Sequence, residues 1–301
     1  MRSFFSYDTP VFRPPSEGQS LLLQVTLGCS NNHCTYCGMY RTKKYQVRDL
    51  TILKEEIDLA AKQLAFNPHF SQKAFLCDGD ALGADTHLLL ETLNYLNFKF
   101  PHLRQVGIYA TAENMLGKSD SDLKLLAEKK LTLSYLGMES GDDEVLKLVV
   151  KGNSSEDMVK GVKKLKQAGI DTSVIAMLGL GGRQLSAQHV KNTAAAILQM
   201  QPKYFSFLTT TVVPGTPYEK QVERGQVCLL STRELLKEMH DILWPLKALE
   251  KKVIFRANHV SNMFPLGGTL PNDLEKILFT INSWIQSCPV DHYPTIDPSM
   301  L

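Results

Sequence analysis

Short apolar runs alternate with amphipathic stretches along most of this chain, and that alternation restricts the fold more than any other feature. Ser20-Leu21-Leu22-Leu23-Gln24-Val25-Thr26-Leu27 has the composition of a buried strand. Ile52, Leu53, Ile57, Ala60, Ala61 and Leu64 then recur at helical spacing. The pair repeats, with strands expected at 73–77, 105–109, 131–138, 170–178 and 204–210. Helices are expected at 85–96, from 119, at 143–148, from 154 and at 186–200. Ser119 with Asp122, Ser154 with Asp157 and Ser231 with Glu234 have the spacing of a capping box. Gly169 sits where a C′ glycine ends a helix. Strands alternating with helices imply a parallel sheet with right-handed crossovers. A full eight-unit barrel takes about 250 residues, so six units with a C-terminal α/β extension suit this length. The expectation is an α/β fold, a partial (β/α)6 TIM-like barrel over 15–220. An extension over 221–288, with a capped helix, a strand at 253–256 and a helix at 272–285, would cover the barrel opening. A loose tail would follow at 289–301.

Charge and composition narrow the class. Lys and Arg total 33 and Asp and Glu total 31, a net charge of +2. No strong basic field is present to collect nucleic acid, which is not indicated as a partner. No apolar run approaches the roughly 18 residues of a membrane span. Residues 1–10 have no apolar core for a signal peptide, so a cytoplasmic protein is expected. Six cysteines are too sparse for a disulfide scaffold.

Three of those six stand together in Gly28-Cys29-Ser30-Asn31-Asn32-His33-Cys34-Thr35-Tyr36-Cys37-Gly38-Met39-Tyr40, directly after the first strand. The spacing is C-x4-C-x2-C. Three thiolates on a short loop can hold three irons of a [4Fe-4S] cluster, whose irons usually take Cys ligands, and one iron stays open for a ligand. The competing reading is a zinc site in which His33 supplies the fourth ligand. Cys77, Cys228 and Cys288 are scattered and make no second pair. Gly179-Leu180-Gly181-Gly182 is no dinucleotide fingerprint, because Gln184 stands where the last glycine is needed.

Cys29, Cys34 and Cys37 after the first strand of a βα array resemble the radical S-adenosylmethionine superfamily, in its coproporphyrinogen-oxidase-like and Elongator-like branches. The usual spacing there is C-x3-C-x2-C, so this chain has one extra residue in the first gap. Tyr36 matches the aromatic before the third cysteine. Asp78-Gly79-Asp80 stands where the family has Gly-Gly-Glu, and the resemblance implies that this backbone, with Gly79 and Asp80, receives the methionine amino group. Gly137-Met138-Glu139-Ser140-Gly141 resembles the family's Gly-Val-Gln-Ser segment, and Lys151 stands where an Arg is frequent. These imply contacts from Glu139 and Lys151 to the ribose hydroxyls and the methionine carboxylate. Leu178-Gly179-Leu180-Gly181 resembles the apolar shelf for adenine, which assigns Gly179 to the cofactor. Val213-Pro214-Gly215-Thr216-Pro217 repeats the family's Pro-Gly-Thr-Pro. Each landmark lies at an expected strand end, the reactive face of a parallel barrel. The implied cofactors are a [4Fe-4S] cluster and S-adenosyl-L-methionine, and the implied partner is an electron donor such as flavodoxin or ferredoxin. The implied activity is reductive cleavage of S-adenosylmethionine, followed by hydrogen abstraction from an unidentified substrate.

The tail supplies the candidate substrate face. Arg256, Asn258, His259 and Asn262 follow the strand at 253–256. Arg suits a planar carboxylate or phosphate, and His suits proton transfer. The basic run Arg41, Lys43, Lys44 and Arg48 reads as a solvated charged face, with an anionic substrate as the sharper reading. The stretch before Cys29 is too short for a cobalamin domain, and no C-terminal RNA-binding barrel is expected. Two other functions stay open: a haem or iron-sulfur carrier on the same scaffold, and a zinc-binding α/β protein.

Overall fold

The computed structural model describes residues 7–64, 67, 70–289 and 293–294. Eight strands form one sheet in chain order: β1 (Leu21–Gln24), β2 (Lys73–Cys77), β3 (Gln105–Tyr109), β4 (Leu131–Glu139), β5 (Asp171–Leu178), β6 (Tyr204–Thr209), β7 (Val253–Arg256) and β8 (Gly267–Leu270). The pairs β1/β2, β2/β3, β3/β4, β5/β6 and β6/β7 are parallel, and β7/β8 is antiparallel. The order begins at β1 and ends at β8, so the sheet is not closed. The helices are α1 (Leu50–Leu64), α2 (Thr86–Lys99), α3 (Ala112–Gly117), α4 (Asp120–Glu128), α5 (Asp143–Leu148), α6 (Ser155–Gln167), α7 (Gly182–Met200), α8 (Pro217–Glu223), α9 (Thr232–Leu243) and α10 (Leu274–Ser287). The α/β class and the open, largely parallel sheet agree with the strand-helix rhythm of the sequence.

The chain divides into two compact units. One comprises Met1–Asn32, Met39–Leu136 and Gly161–Thr172; the other comprises His33–Gly38, Gly137–Lys160 and Ser173–Leu301. In the first, α1 buries Leu53, Ile57 and Ala60 of the helical stripe seen in the sequence while Ile52 of that stripe is exposed, and α2 buries Leu89, Leu93 and Leu96. Phe75 packs edge-on against Tyr109 and Tyr135, with ring centroids 4.9 and 5.5 Å away. The Tyr135 hydroxyl donates to the buried Glu17 carboxylate at 2.6 Å. Ser119 caps α4 through Asp122 N–H, and Gly169 has φ +87°, a conformation that favours glycine.

In the second unit, Phe205 and Phe207 of β6 meet Phe255 of β7 at 6.1 and 5.7 Å. The Ser231–Glu234 capping box is complete, with both reciprocal hydrogen bonds. It starts α9, which buries Leu235, Leu236, Glu238, Met239, Ile242 and Leu243.

Several elements differ from the expectation. The first strand leaves the sheet at Gln24, and Thr26–Leu27 pairs instead with Gln46–Val47 in a small antiparallel ribbon. Gly267-Gly268-Thr269 lies in a strand the periodicity does not predict, β8. Its glycines permit close approach: a Cβ on Gly268 would lie 2.9 Å from Ile277 Cδ1. α3 and α8 are additional helices, capped by Thr111 and Thr216. The expected loose tail falls largely on 290–292 and 295–301, outside the described residues. Among the described residues no helix is long and apolar enough to cross a membrane.

Candidate active site

The cysteine loop passes through both units: Cys29 belongs to the first, and Cys34 and Cys37 to the second. Cys34 is buried, and Cys29 and Cys37 are half-buried. Among the described residues no three His, Cys, Asp or Glu side chains converge as ligands of a single ion. A cluster does not ask for that, since each thiolate binds a different iron.

Within the first unit, the turn after β2 is built against Cys29. Gly79 N–H donates to Gly28 O at 2.9 Å. A Cβ on Gly79 would lie 2.7 Å from Cys29 Cβ and 2.9 Å from Tyr40 Cε2, so only glycine brings the backbone this near. Asp78 is fully buried and accepts from Gly28 N–H at 3.0 Å, Gln24 Nε2 at 3.2 Å and Lys43 Nζ at 2.9 Å. Lys43 is therefore no solvated charge, because its ammonium is buried in an ion pair with Asp78.

Asp80 is also buried and accepts from Thr111 N–H and Oγ1, both at 3.1 Å, and from Ser30 Oγ and Asn114 Nδ2. Burial raises its pKa against the opposing pull of those donors. Its carboxylate thus fixes the residue after Cys29 and the start of α3. The backbone at Gly79 is the part of this turn presented beside the cysteine.

Within the second unit, Thr35 N–H donates to Val149 O at 2.9 Å and Tyr218 N–H to Thr35 O at 3.1 Å, which anchors the loop between Cys34 and Cys37. Glu139, at the end of β4 with φ +65°, pairs with Lys151 Nζ at 3.0 Å, and both side chains are largely buried. The Tyr36 hydroxyl is hydrogen-bonded to Glu139, and burial holds that phenol well above its usual pKa. Burial pushes the Cys34 thiol up, Lys151 draws it down, and Glu139 and Cys37 add to the rise. Cys34, Tyr36, Glu139 and Lys151 therefore form one electrostatic group.

The apolar shelf belongs to the same unit. Gly179 has φ +79°, and a Cβ there would lie 2.7 Å from Leu235 Cδ2. Leu180, Met177, Val145, Val149, Tyr218 and Val227 make an apolar cluster with Tyr36 packed against it. The Tyr218 hydroxyl donates to Leu180 O at 2.9 Å.

The candidate substrate residues differ in exposure and in their partners. Arg256 is exposed, and its Nη1 donates to Phe255 O at 2.7 Å. Ser206 is its register partner on β6. Asn258 is exposed. His259 Nδ1 accepts from Ser261 N–H at 3.1 Å, and burial lowers its pKa. Asn262 is buried, accepts from Thr209 Oγ1 at 2.9 Å and donates to Phe207 O at 2.7 Å. Its amide is committed to fastening this loop to β6.

Lys43 and Asp78 were missed as a pair, and Ser30, Thr111 and Asn114 carried no sequence signal. Glu238 and His189 were also missed, although each falls on the buried stripe of its helix. A carboxylate or imidazole at an apolar-stripe position is a signal the sequence did contain.

The family model of the Radical SAM superfamily matches residues 23–197, more than half of the chain. The chain belongs to the radical SAM superfamily. The S-adenosylmethionine methyltransferase TsrM from Kitasatospora setae, solved with cobalamin and a [4Fe-4S] cluster bound, is 19% identical; the likeness has a TM-score of 0.54 and covers 68% of this chain and 39% of TsrM. Coproporphyrinogen III oxidase (HemN) from Escherichia coli is 15% identical, with a TM-score of 0.53, covering 74% of this chain and 52% of HemN. Elp3 from Methanocaldococcus infernus is 16% identical, with a TM-score of 0.52, covering 89% of this chain and 63% of that one. At these identities the likeness is one of fold, and the chain spans about two fifths of TsrM. No curated protein matches the chain.

The donor set fits the family's cofactors. Three cysteine side chains lie on one loop, a Cβ-excluding turn abuts the first, and a Glu–Lys pair acts on the second.

Proposed function

We propose that this chain is a radical S-adenosylmethionine enzyme whose [4Fe-4S] cluster is held by Cys29, Cys34 and Cys37. The observation that carries the reading is the group formed by Cys34, Tyr36, Glu139 and Lys151. It sets an anion acceptor and a hydrogen-bonding carboxylate beside a cluster ligand. When bound, the cluster supplies one electron that breaks the sulfonium–C5′ bond and yields a 5′-deoxyadenosyl radical for hydrogen abstraction.

The chain's own residues bind and orient. Lys151 takes the methionine carboxylate, Glu139 the ribose hydroxyls, and the backbone at Gly79 the amino group. Gly179 and Leu180 take the adenine face. Asp80 acts through Ser30 and Thr111, keeping the turn in register. Arg256, Asn258 and His259 belong to the substrate side, with Asn262 holding their loop. An electron donor such as flavodoxin or ferredoxin supplies the reducing equivalent. The protein orients and shields while the cofactor carries the bond-breaking.

Anaerobic reconstitution tests this. A brown protein with iron and sulfide approaching about four each per chain is expected, and reduction with S-adenosylmethionine should release 5′-deoxyadenosine and methionine. A colourless protein that retains zinc overturns the reading in favour of the zinc site. Tight haem binding with no cleavage overturns it in favour of a carrier.

A further inference from the structure

Behind the shelf lies a buried polar line that the proposed chemistry does not use. Glu238, on α9, is 2% exposed and has no Lys or Arg partner among the described ion pairs. Its Oε2 accepts from Gly179 N–H at 2.6 Å and its Oε1 from Ser186 Oγ at 2.7 Å. His189, fully buried on α7, places Nε2 4.0 Å from the same carboxylate. Nε2 has no hydrogen-bond partner. Its Nδ1 meets Ser140 Oγ at 2.8 Å, and Ser140 directly follows Glu139. Thr193, one turn on, accepts from Gly141 N–H at 2.9 Å. The line therefore connects the turn after β4 with the turn after β5.

A buried carboxylate without a cation is costly and persists only where its hydrogen bonds are worth keeping. Here the bond goes to one backbone N–H, at a glycine in the left-handed region whose missing Cβ is replaced by the Leu235 side chain of the same helix. α9 thus presses on Gly179 with Leu235 and holds its amide with Glu238.

We propose that Glu238 is a positioning residue for the adenosyl group: from the C-terminal extension it fixes the Gly179 amide and so the shape of the adenine shelf. The inference rests on the proposed S-adenosylmethionine site. It adds that a helix outside the matched family segment sets the cofactor's fit.

Glu238→Met, which keeps volume but loses the acceptor, tests it alongside Glu238→Gln, whose amide can still accept from Gly179 and donate to Ser186. In the cluster-free full chain, hydrogen exchange at Gly179 should quicken in Glu238→Met and stay slow in Glu238→Gln. In the reconstituted protein, the KM for S-adenosylmethionine should rise roughly tenfold in Glu238→Met, the size of one lost hydrogen bond to a charged group. The rate at saturation should change little, and Glu238→Gln should track the wild type. If Glu238→Met fails to fold, Ser186→Ala, which frees the carboxylate from its other donor, should give a smaller change in the same direction. Unchanged exchange and KM in a folded variant overturn the proposal while wild-type cleavage leaves the site reading standing. Absence of cleavage in the wild type overturns both.

Discussion

Replacing Lys43, just past the cysteine loop, by Met is expected to be strongly destabilising. The Lys43 side chain is 4% exposed and that of Asp78 is 0% exposed, with Nζ and Oδ2 2.9 Å apart. Methionine keeps the length and the apolar stem but removes the ammonium, which leaves the Asp78 carboxylate with only Gly28 N–H and Gln24 Nε2. Orphaning one member of a buried pair costs about 3–5 kcal/mol. Two neutral donors remain, so the lower end applies, about 3 kcal/mol. At about 2–4 °C per kcal/mol for a chain of this class, the melting temperature should fall by about 6–12 °C. Thermal unfolding of the cluster-free protein, followed by circular dichroism under anaerobic conditions, measures it. Lys43→Met with Asp78→Asn removes both charges and should recover much of the loss, giving a clear coupling in the double-mutant cycle. A Lys43→Met protein that melts within about 2 °C of the wild type, or a double variant whose losses simply add, would falsify the assignment of a coupled buried pair.

Further outcomes follow from the same geometry. Gly79→Ala forces a Cβ to 2.7 Å from Cys29 Cβ and should lower both stability, by about 1–3 kcal/mol, and iron content; calorimetry and iron assay check it. Cys29→Ala, Cys34→Ala and Cys37→Ala should each lose the visible absorption of the reconstituted protein and all release of 5′-deoxyadenosine. Glu139→Ala should weaken S-adenosylmethionine binding by roughly tenfold or more, since the lost group is a charged hydrogen-bonding partner; equilibrium binding decides. Burial pushes Glu238 up from its ordinary 4.5 to about 7, with Ser186 and Gly179 opposing and Glu234 adding to the rise. Between those values the folded protein holds a proton the unfolded chain has released, so this contribution to stability is lost as pH rises through the window. His189, held near 4 by burial with Asp142 opposing, acts in the reverse sense as pH falls. The melting temperature of Glu238→Gln should therefore gain on the wild type as pH rises from about 5 to about 8; a constant difference would refute the buried titration.

What the sequence disclosed was mostly local. The cysteine spacing lies in nine consecutive positions, and the capping serines sit three residues from their partners, so both are visible in a window. Glu139 and Lys151 are twelve residues apart, and the family resemblance implies a common cofactor for them but not an ion pair; the structure brings them to 3.0 Å. Lys43 looked like part of a solvated basic run because its partner is 35 residues away. The donors of Asp80 lie 50, 31 and 34 positions from it and have no sequence signature. The Gly267-Gly268-Thr269 strand has poor intrinsic strand propensity and exists because β7 offers it hydrogen-bonding partners. Asn262 carries the same chemistry whether it meets a ligand or a backbone carbonyl. Only coordinates show that its amide is engaged by Thr209 and Phe207.

The Glu139–Lys151 pair also explains how a half-buried site can stay charged before its ligand arrives. A lone Lys151 or a lone Glu139 at that depth would carry an uncompensated desolvation cost. Paired at 3.0 Å, with the Tyr36 hydroxyl on the same carboxylate, the two are neutral together. On the proposed reading, S-adenosylmethionine brings its own carboxylate for Lys151 and hydroxyl donors for Glu139. Binding then exchanges partners instead of stripping water from isolated charges. Glu139 stands at the end of β4 in a left-handed conformation, and Lys151 follows α5; Val145 of that helix and Val149, which caps its end, belong to the apolar cluster that includes Leu180 and has Tyr36 packed against it. One apolar cluster thereby braces the aromatic of the cysteine loop, the ion pair and the shelf, so a cavity opened at Val149 should loosen all three together.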